Sequence, residues 1–187
     1  MRENVRLNIP NLISFGRLLL VPVTVWLLLN GAYRMAFWVF LVGGASDAVD
    51  GFIAKRFGAQ TELGGYLDPI ADKALLISVF VGLGQQGFID SWLVILVVFR
   101  DGLILCGAGL YYLLYHRLSM EPLKISKANT LAQFLLVLVV LAMESFQFHD
   151  GTVIAVMTYI VAATTLASGS AYVIVWSRRA MLMEPGE

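Results

Sequence analysis

Long runs of apolar residues, separated by short polar segments, occupy most of the chain. A membrane-spanning helix needs about 20 such residues. Six runs reach that length, at 10–30, 33–54, 67–86, 91–115, 126–146 and 151–177. They lack the strict alternation of a membrane β-barrel, and lipid offers an open backbone no hydrogen-bond partner. The pattern predicts an all-α, polytopic membrane protein, a bundle of six transmembrane helices.

Composition agrees with this prediction. Of 187 residues, 59% are hydrophobic and 14% are charged, and the mean hydropathy is +0.79. A soluble domain of this length contains more charge. The polar linkers are short and no segment outside the runs could form a second core, so a single domain over 1–187 is expected.

Basic residues predict the orientation of the bundle, because Lys and Arg near helix ends are retained on the cytoplasmic side. On one side the linkers and termini hold nine of them, whereas the opposite loops hold only Arg34. Both termini are therefore predicted to be cytoplasmic, as is the segment after the second run. The nine are Arg2, Arg6, Lys55, Arg56, Arg117, Lys124, Lys127, Arg178 and Arg179.

The first run has an alternative interpretation as a signal peptide. Arg17 interrupts its apolar region, and removing it would leave five runs and spoil the charge asymmetry, so a retained helix is favoured. No Arg-rich and Ser-rich transit segment precedes it, which favours a bacterial plasma membrane. The single cysteine, Cys106, lies in an apolar run, and a packing role is expected for it.

Four aspartates lie at the predicted cytoplasmic face: Asp47, Asp50, Asp68 and Asp72. Each costs about 2.5–3.5 kcal/mol at the centre of a membrane helix, and such carboxylates usually face a cavity, a partner or an ion. The first two are three residues apart and the last two are four apart. On helices, each pair therefore shares one face.

The nearby cations are too few to neutralise these carboxylates, since the segment holds only Lys55, Arg56 and Lys73. Hard divalent ions bind carboxylate oxygens, whereas Zn²⁺ prefers His or Cys, which the segment lacks. Mg²⁺ or Mn²⁺ is therefore expected, as two ions. The spacing does not fit an EF-hand loop.

A cation or proton pathway is the alternative use of membrane carboxylates. Gly51, Gly64 and Gly65 favour a bound ligand instead, because they leave bare backbone beside the aspartates. Tight helix packing explains Gly65 equally well. An enzyme and a small cation transporter therefore both stay open at this point.

One spaced motif connects these residues: Asp47-x2-Asp50-Gly51-x2-Ala54-Lys55-x8-Gly64-x3-Asp68-x3-Asp72. It resembles the signature of the CDP-alcohol phosphatidyltransferases, in which Arg stands where this chain has Lys55. Arg56 is a candidate substitute, although the bidentate phosphate contact of an Arg is not simply replaced. The segment "NIPNLISFGRLLLVPV" resembles the branch of the cardiolipin synthases and phosphatidylglycerophosphate synthases. The segments "FRDGLILCGAGLYYL" and "ISKANTLAQFLL" resemble more the CDP-diacylglycerol-dependent cardiolipin synthases.

The resemblance implies a reaction. Family enzymes bind CDP-diacylglycerol through its diphosphate, and an acceptor hydroxyl attacks the phosphatidyl phosphorus with release of CMP. By position in the signature, Asp47, Asp50 and Asp68 would be metal ligands, and Asp72 would be the general base and a further metal ligand. The CDP-diacylglycerol site would comprise Gly51, Ala54, Lys55, Arg56 and Gly64.

Acceptor binding is expected from basic and polar residues predicted at the same face: Arg100, Lys124, Ser126 and Lys127. Arg17 either reaches the acceptor-binding cavity expected at this face or extends toward lipid headgroups. Asp101 could simply pair with a basic neighbour. The resemblance favours phosphatidylglycerol as acceptor, giving cardiolipin, with glycerol 3-phosphate as the alternative. It also implies a homodimer, and no nucleic-acid partner is expected.

Overall fold

The computed structural model describes residues 9–57, 62–115, 124–148 and 150–182. Side chains are described over 15–46, 73–107, 124–148 and 150–177 and at Gly109. Six α-helices and no strand occupy the described residues. They are α1 (Ile9–Leu29), α2 (Tyr33–Phe57), α3 (Glu62–Gln85), α4 (Ser91–Tyr115), α5 (Lys124–Phe146) and α6 (Gly151–Leu182).

The predicted all-α class and the six helices are confirmed. The fourth helix has the predicted bounds, whereas α2, α3 and α6 continue beyond their apolar runs, to Phe57, from Glu62 and to Leu182. Helical hydrogen bonding does not stop where hydropathy falls, because a helix leaving lipid keeps its i to i−4 ladder in water.

Three helices end in the same left-handed turn. After α1, the amide of Ala32 donates to the Leu27 carbonyl at 2.9 Å and that of Gly31 to the Leu28 carbonyl at 3.0 Å. This is a Schellman motif, whose left-handed position suits glycine. Gly31 (φ 69°) and Gly87 (φ 80°) occupy it after α1 and α3, and Gln147 (φ 56°) after α5.

The described contacts divide the chain into two compact units. The first, Met1–Phe88 with Val137–His149, contains α1, α2, α3 and the end of α5. Within it α1 packs against α2 and α3, around buried Leu28, Phe40 and Phe80. The single domain over 1–187 stays a prediction.

One amide side chain helps to close this first unit near the end of α1. The Gln86 side chain donates to the Leu28 carbonyl at 2.6 Å and accepts from the Tyr33 hydroxyl at 2.7 Å. The Leu28 carbonyl, which also accepts from the Gly31 amide, thereby gains a second hydrogen bond from the residue that follows α3 in the same unit.

The second unit, Ile89–Leu136 with Asp150–Glu187, contains α4, the start of α5 and α6. Here α4 packs against α6. The indole of Trp176 lies where a Cβ on Gly107 would be, so the two helices can pack this closely only with glycine at this position of α4. Cys106 beside it is exposed, so the packing role expected for it is wrong: its helical position turns it away from that contact.

Large apolar side chains face outward and polar ones inward. Phe99 and Tyr159 are each 69% exposed, whereas Asn129 and Gln133 are fully buried. Two helices in the described part of the chain are long and apolar enough to cross a membrane, Lys124–Phe146 and Gly151–Ser177. Such a surface is the one expected against lipid, where apolar groups need no burial and polar groups do.

We expect Gly107→Ala to destabilise the fold. Its methyl group would overlap the Trp176 indole, and overpacking of this kind costs about 1–3 kcal/mol. Gly109→Ala is the matched control, since open space surrounds that Cβ position on the same helix and alanine is the better helix former. The thermal unfolding temperature in detergent should fall for Gly107→Ala and not for Gly109→Ala. Equal unfolding temperatures would show that the Trp176 contact contributes nothing.

Candidate active site

The four aspartates predicted as metal ligands, among them the predicted base Asp72, lie on two neighbouring helices. Asp47 and Asp50 belong to α2, Asp68 and Asp72 belong to α3, and these helices contact each other. The predicted helical spacing of each pair is confirmed. The side chains at these positions lie outside the described residues, as do those of Gly51, Ala54, Lys55, Arg56 and Gly64. The remaining, described residues hold no group of three His, Cys, Asp or Glu suited to a metal.

Arg17 on α1 lies beside a cavity that borders the aspartate segment in sequence. The cavity has a volume of about 250 Å³ and is lined by Gly16, Arg17, Leu20, Gly43 and Ser46, the last of which precedes Asp47. Arg17 is only 3% exposed. This burial does not fit extension toward headgroups, and the acceptor role of Arg17 stays a prediction, since no other predicted acceptor residue lines this cavity.

Arg100 is the centre of a hydrogen-bonded network in the second unit. Its Nη1 donates to Asp101 Oδ1 at 2.5 Å, and its Nη2 donates to Ser126 Oγ at 2.7 Å and to Ser168 Oγ. Arg100, Asp101 and Ser168 are almost fully buried. The pairing of Asp101 with a basic neighbour, one of the predicted alternatives, is confirmed.

Aromatic rings complete the surroundings of Arg100. Its guanidinium carbon lies 6.0 Å from the centroid of the Tyr172 ring, and that ring packs edge-on against Trp176 at 5.7 Å. A cation over an aromatic face is stabilised by the ring quadrupole. Gly169 on α6 lies next to the Arg100 stem: a Cβ at this position would be in ordinary van der Waals contact with Arg100 Cγ, at 3.6 Å.

A line of buried polar groups continues along α5 and α6. Asn129 Oδ1 accepts hydrogen bonds from the hydroxyls of Thr164 and Thr165, both at 2.9 Å. One turn further, Gln133 is fully buried and neither of its amide atoms has a partner among the described residues. Asn129, Gln133, Thr164 and Thr165 were not predicted from the sequence, although Asn129 and Gln133 follow Ser126 at helical spacing within an apolar run.

The two predicted acceptor lysines occupy the first turn of α5. Lys124 begins the helix and Lys127 follows one turn later, and both are exposed. Positive charge at a helix N-terminus adds to that of the free backbone amides. The start of α5 is therefore an electropositive surface beside the Arg100 network, which it joins through Ser126.

A family comparison identifies the chemistry associated with these helices. The model of the CDP-alcohol phosphatidyltransferases matches residues 7–177, most of the chain. The chain belongs to the CDP-alcohol phosphatidyltransferase family. This membership confirms the resemblance drawn from the aspartate motif, and a membrane-embedded enzyme follows from it.

Individual relatives differ in the acceptor that their names state. "CDP-diacylglycerol--glycerol-3-phosphate 3-phosphatidyltransferase 1, chloroplastic" of Oryza sativa subsp. japonica is 37% identical over 185 residues, 89% of this chain and 56% of its own length. "Cardiolipin synthase (CMP-forming)" of Rattus norvegicus is 32% identical over 183 residues, 88% of this chain and 60% of its own. A "Probable phosphatidylglycerophosphate synthase" of Mycobacterium tuberculosis is 35% identical over 100 residues, 50% of this chain and 48% of its own.

This chain thus spans between about half and three fifths of the length of these relatives. The relatives support phospholipid synthesis by a phosphatidyltransferase and leave both predicted acceptors in place. None of their names points to a cation transporter.

We expect Gln133→Leu to stabilise the protein, by about 1–3 kcal/mol, because it removes two buried polar atoms without a partner. Asn129→Leu is the matched comparison, since it removes the acceptor of two threonine hydroxyls and should destabilise by a similar amount. Thermal unfolding in detergent measures both. A lower unfolding temperature for Gln133→Leu would mean that the Gln133 amide is bonded in the folded protein.

Proposed function

We propose that the protein transfers a phosphatidyl group from CDP-diacylglycerol to a glycerol hydroxyl of a phosphate-bearing acceptor and releases CMP. The observation that supports this most is the family match over 7–177, which includes both aspartate pairs on the contacting helices α2 and α3. Phosphatidylglycerol is the proposed acceptor and cardiolipin the product. Glycerol 3-phosphate is the second candidate, because the rice relative is named for it.

The six helices are proposed to span a bacterial plasma membrane with both termini and the active site at the cytoplasmic face. Outward-facing Trp26, Phe99 and Tyr159 support contact with lipid. The distribution of basic residues supports the orientation. A homodimer is part of the proposal, on the resemblance alone.

Two Mg²⁺ or Mn²⁺ ions are proposed for the aspartate helices, held by Asp47, Asp50, Asp68 and Asp72. The donor set fits, since it consists of carboxylates alone, on two helices that pack together. Bound divalent ions would supply positive charge to offset that of the substrate diphosphate.

The chain's own residues account for the remaining steps at the donor. Asp72 is the proposed base, which takes the proton from the acceptor hydroxyl as its oxygen bonds to phosphorus. The bond from phosphorus to the CMP oxygen breaks. Gly51, Ala54 and Gly64 would leave room for the nucleotide and diphosphate at the backbone, and Lys55 or Arg56 would pair with a phosphate.

Acceptor binding is proposed for the electropositive start of α5. Exposed Lys124 and Lys127 can reach a phosphate without displacing a partner in the described network. An anion there would also relieve the repulsion between these lysines and the N-terminal end of the helix dipole. Arg17, Arg100 and Ser126 complete the predicted acceptor set, and the two arginines are each 3% exposed.

The acceptor is tested with purified protein in detergent, CDP-diacylglycerol and Mg²⁺ or Mn²⁺. We expect CMP release with phosphatidylglycerol and formation of cardiolipin. Glycerol 3-phosphate in place of phosphatidylglycerol is the matched arm. CMP release with glycerol 3-phosphate and not with phosphatidylglycerol would make glycerol 3-phosphate the acceptor. No CMP release with either compound would contradict the proposed reaction. Activity that survives a strong chelator would contradict the metal proposal.

Asp72→Asn should abolish turnover while CDP-diacylglycerol still binds, because an amide cannot accept the proton. Asp47→Ala should also abolish turnover, but through weaker metal binding, so excess metal should restore part of it. The measurement is CMP release over a metal titration, with nucleotide binding followed separately. Near-normal turnover of Asp72→Asn would remove Asp72 as base, and rescue of that variant by metal would make it a ligand only.

A further inference from the structure

Arg100 is occupied by partners within the protein. Three of its hydrogen bonds go to Asp101, Ser126 and Ser168, and Tyr172 lies against its guanidinium group. Its charge is balanced by Asp101 at 2.5 Å. Without displacing one of these groups, a phosphate could bind Arg100 only at its buried Nε, which has no partner among the described residues, or at the second hydrogen of Nη1.

These contacts join three helices of one unit. Arg100 and Asp101 lie on α4, Ser126 lies in the first turns of α5, and Ser168 lies on α6. Ser168 is fully buried. Its hydroxyl and that of Ser126 accept hydrogen bonds from the same atom, Arg100 Nη2. The position of Ser126 beside α4 thus depends on a group whose orientation is fixed from α6.

We infer that Ser168 is a positioning residue for the acceptor: through Arg100 it holds Ser126, and with it the first turn of α5 that presents Lys124 and Lys127. Arg100 itself then acts as a positioning residue and not as a phosphate ligand. The inference rests on the proposed acceptor role of that turn. It adds an α6 residue that the aspartate motif does not contain.

A positioning role predicts a selective kinetic effect. Without the Ser168 hydroxyl, Arg100 loses one of the hydrogen bonds that orient it, and the start of α5 is held less firmly. Acceptor binding should weaken, whereas binding of CDP-diacylglycerol should not, because its proposed residues lie on α2 and α3. KM for the acceptor should rise and kcat should stay close to its original value.

Ser168→Ala tests this, with Ser170→Ala as the matched control, because Ser170 is exposed on the same helix. CMP release is measured against the concentration of each substrate, with whichever of phosphatidylglycerol and glycerol 3-phosphate supports turnover. We expect Ser168→Ala to raise the acceptor KM roughly tenfold, the order expected for one hydrogen bond to a charged group. In Ser168→Ala the KM for CDP-diacylglycerol should change less than about twofold. In Ser170→Ala the KM for the acceptor and the KM for CDP-diacylglycerol should both change less than about twofold.

Two further variants separate this role from the alternatives. Ser168→Thr keeps the hydroxyl and should restore the acceptor KM. In Arg100→Gln the effect of Ser168→Ala should disappear, because the residue through which it acts is gone. If Ser168→Ala lacks a cooperative unfolding transition in detergent, Tyr172→Leu takes its place, since it removes the ring beside Arg100 and leaves every hydroxyl of the network.

Several outcomes would overturn the inference. An unchanged acceptor KM in Ser168→Ala, with a raised one in Arg100→Gln, would make Arg100 a direct ligand. Equal increases in the KM of both substrates would indicate a general loss of structure. The acceptor that the wild-type enzyme uses is decided separately, so failure of phosphatidylglycerol would contradict the proposed function and leave the role of Ser168 to be measured with glycerol 3-phosphate.

Discussion

The buried charge of Arg100 is the constraint to which the second unit is fitted. A cation removed from water needs an opposite charge and partners for its N–H groups, and the described structure supplies them from three helices, with Asp101 as the charge. Ser168 on α6 accepts a hydrogen bond from the arginine, and Gly169 beside it lies next to the arginine stem. The same demand does not arise at the outward faces, where Ile95 and Phe99 on α4 are more than two-thirds exposed.

This inside-polar arrangement explains why so apolar a chain has a specific fold. Apolar packing alone discriminates weakly between helix faces in lipid, whereas an interhelical hydrogen bond has one register. The bonds from Thr164 and Thr165 to Asn129 and from Arg100 to Ser168 set such registers between α4, α5 and α6. Unpaired polar atoms remain among the described residues at Arg100 Nε, at Asn129 Nδ2 and, most fully, on Gln133, whose buried amide has no partner at either atom. It is a cost that the fold tolerates.

The sequence predicts the helices well, but it does not predict the buried hydrogen-bonded network around Arg100. Hydropathy marks each apolar run, so α4 has the predicted bounds and the other helices differ at their polar ends. The aspartate motif is readable because its members lie close together along the chain. Ser168 lies 68 positions from Arg100, and no local pattern connects two such residues. A buried polar partner on a distant helix becomes visible only when the packing of α4 against α6 is known.

The residues proposed for the two substrates lie in different parts of the chain. The proposed donor residues lie on α2 and α3 of the first unit, whereas Arg100, Ser126 and both acceptor lysines lie in the second. Arg17, beside its α1 cavity, is the one predicted acceptor residue outside it. Such a division would let the acceptor residues diverge while the donor motif is kept, and the relatives named for glycerol 3-phosphate and for cardiolipin fit that expectation. The choice of acceptor should then be sought in the start of α5 and the groups that position it, and not in the aspartates.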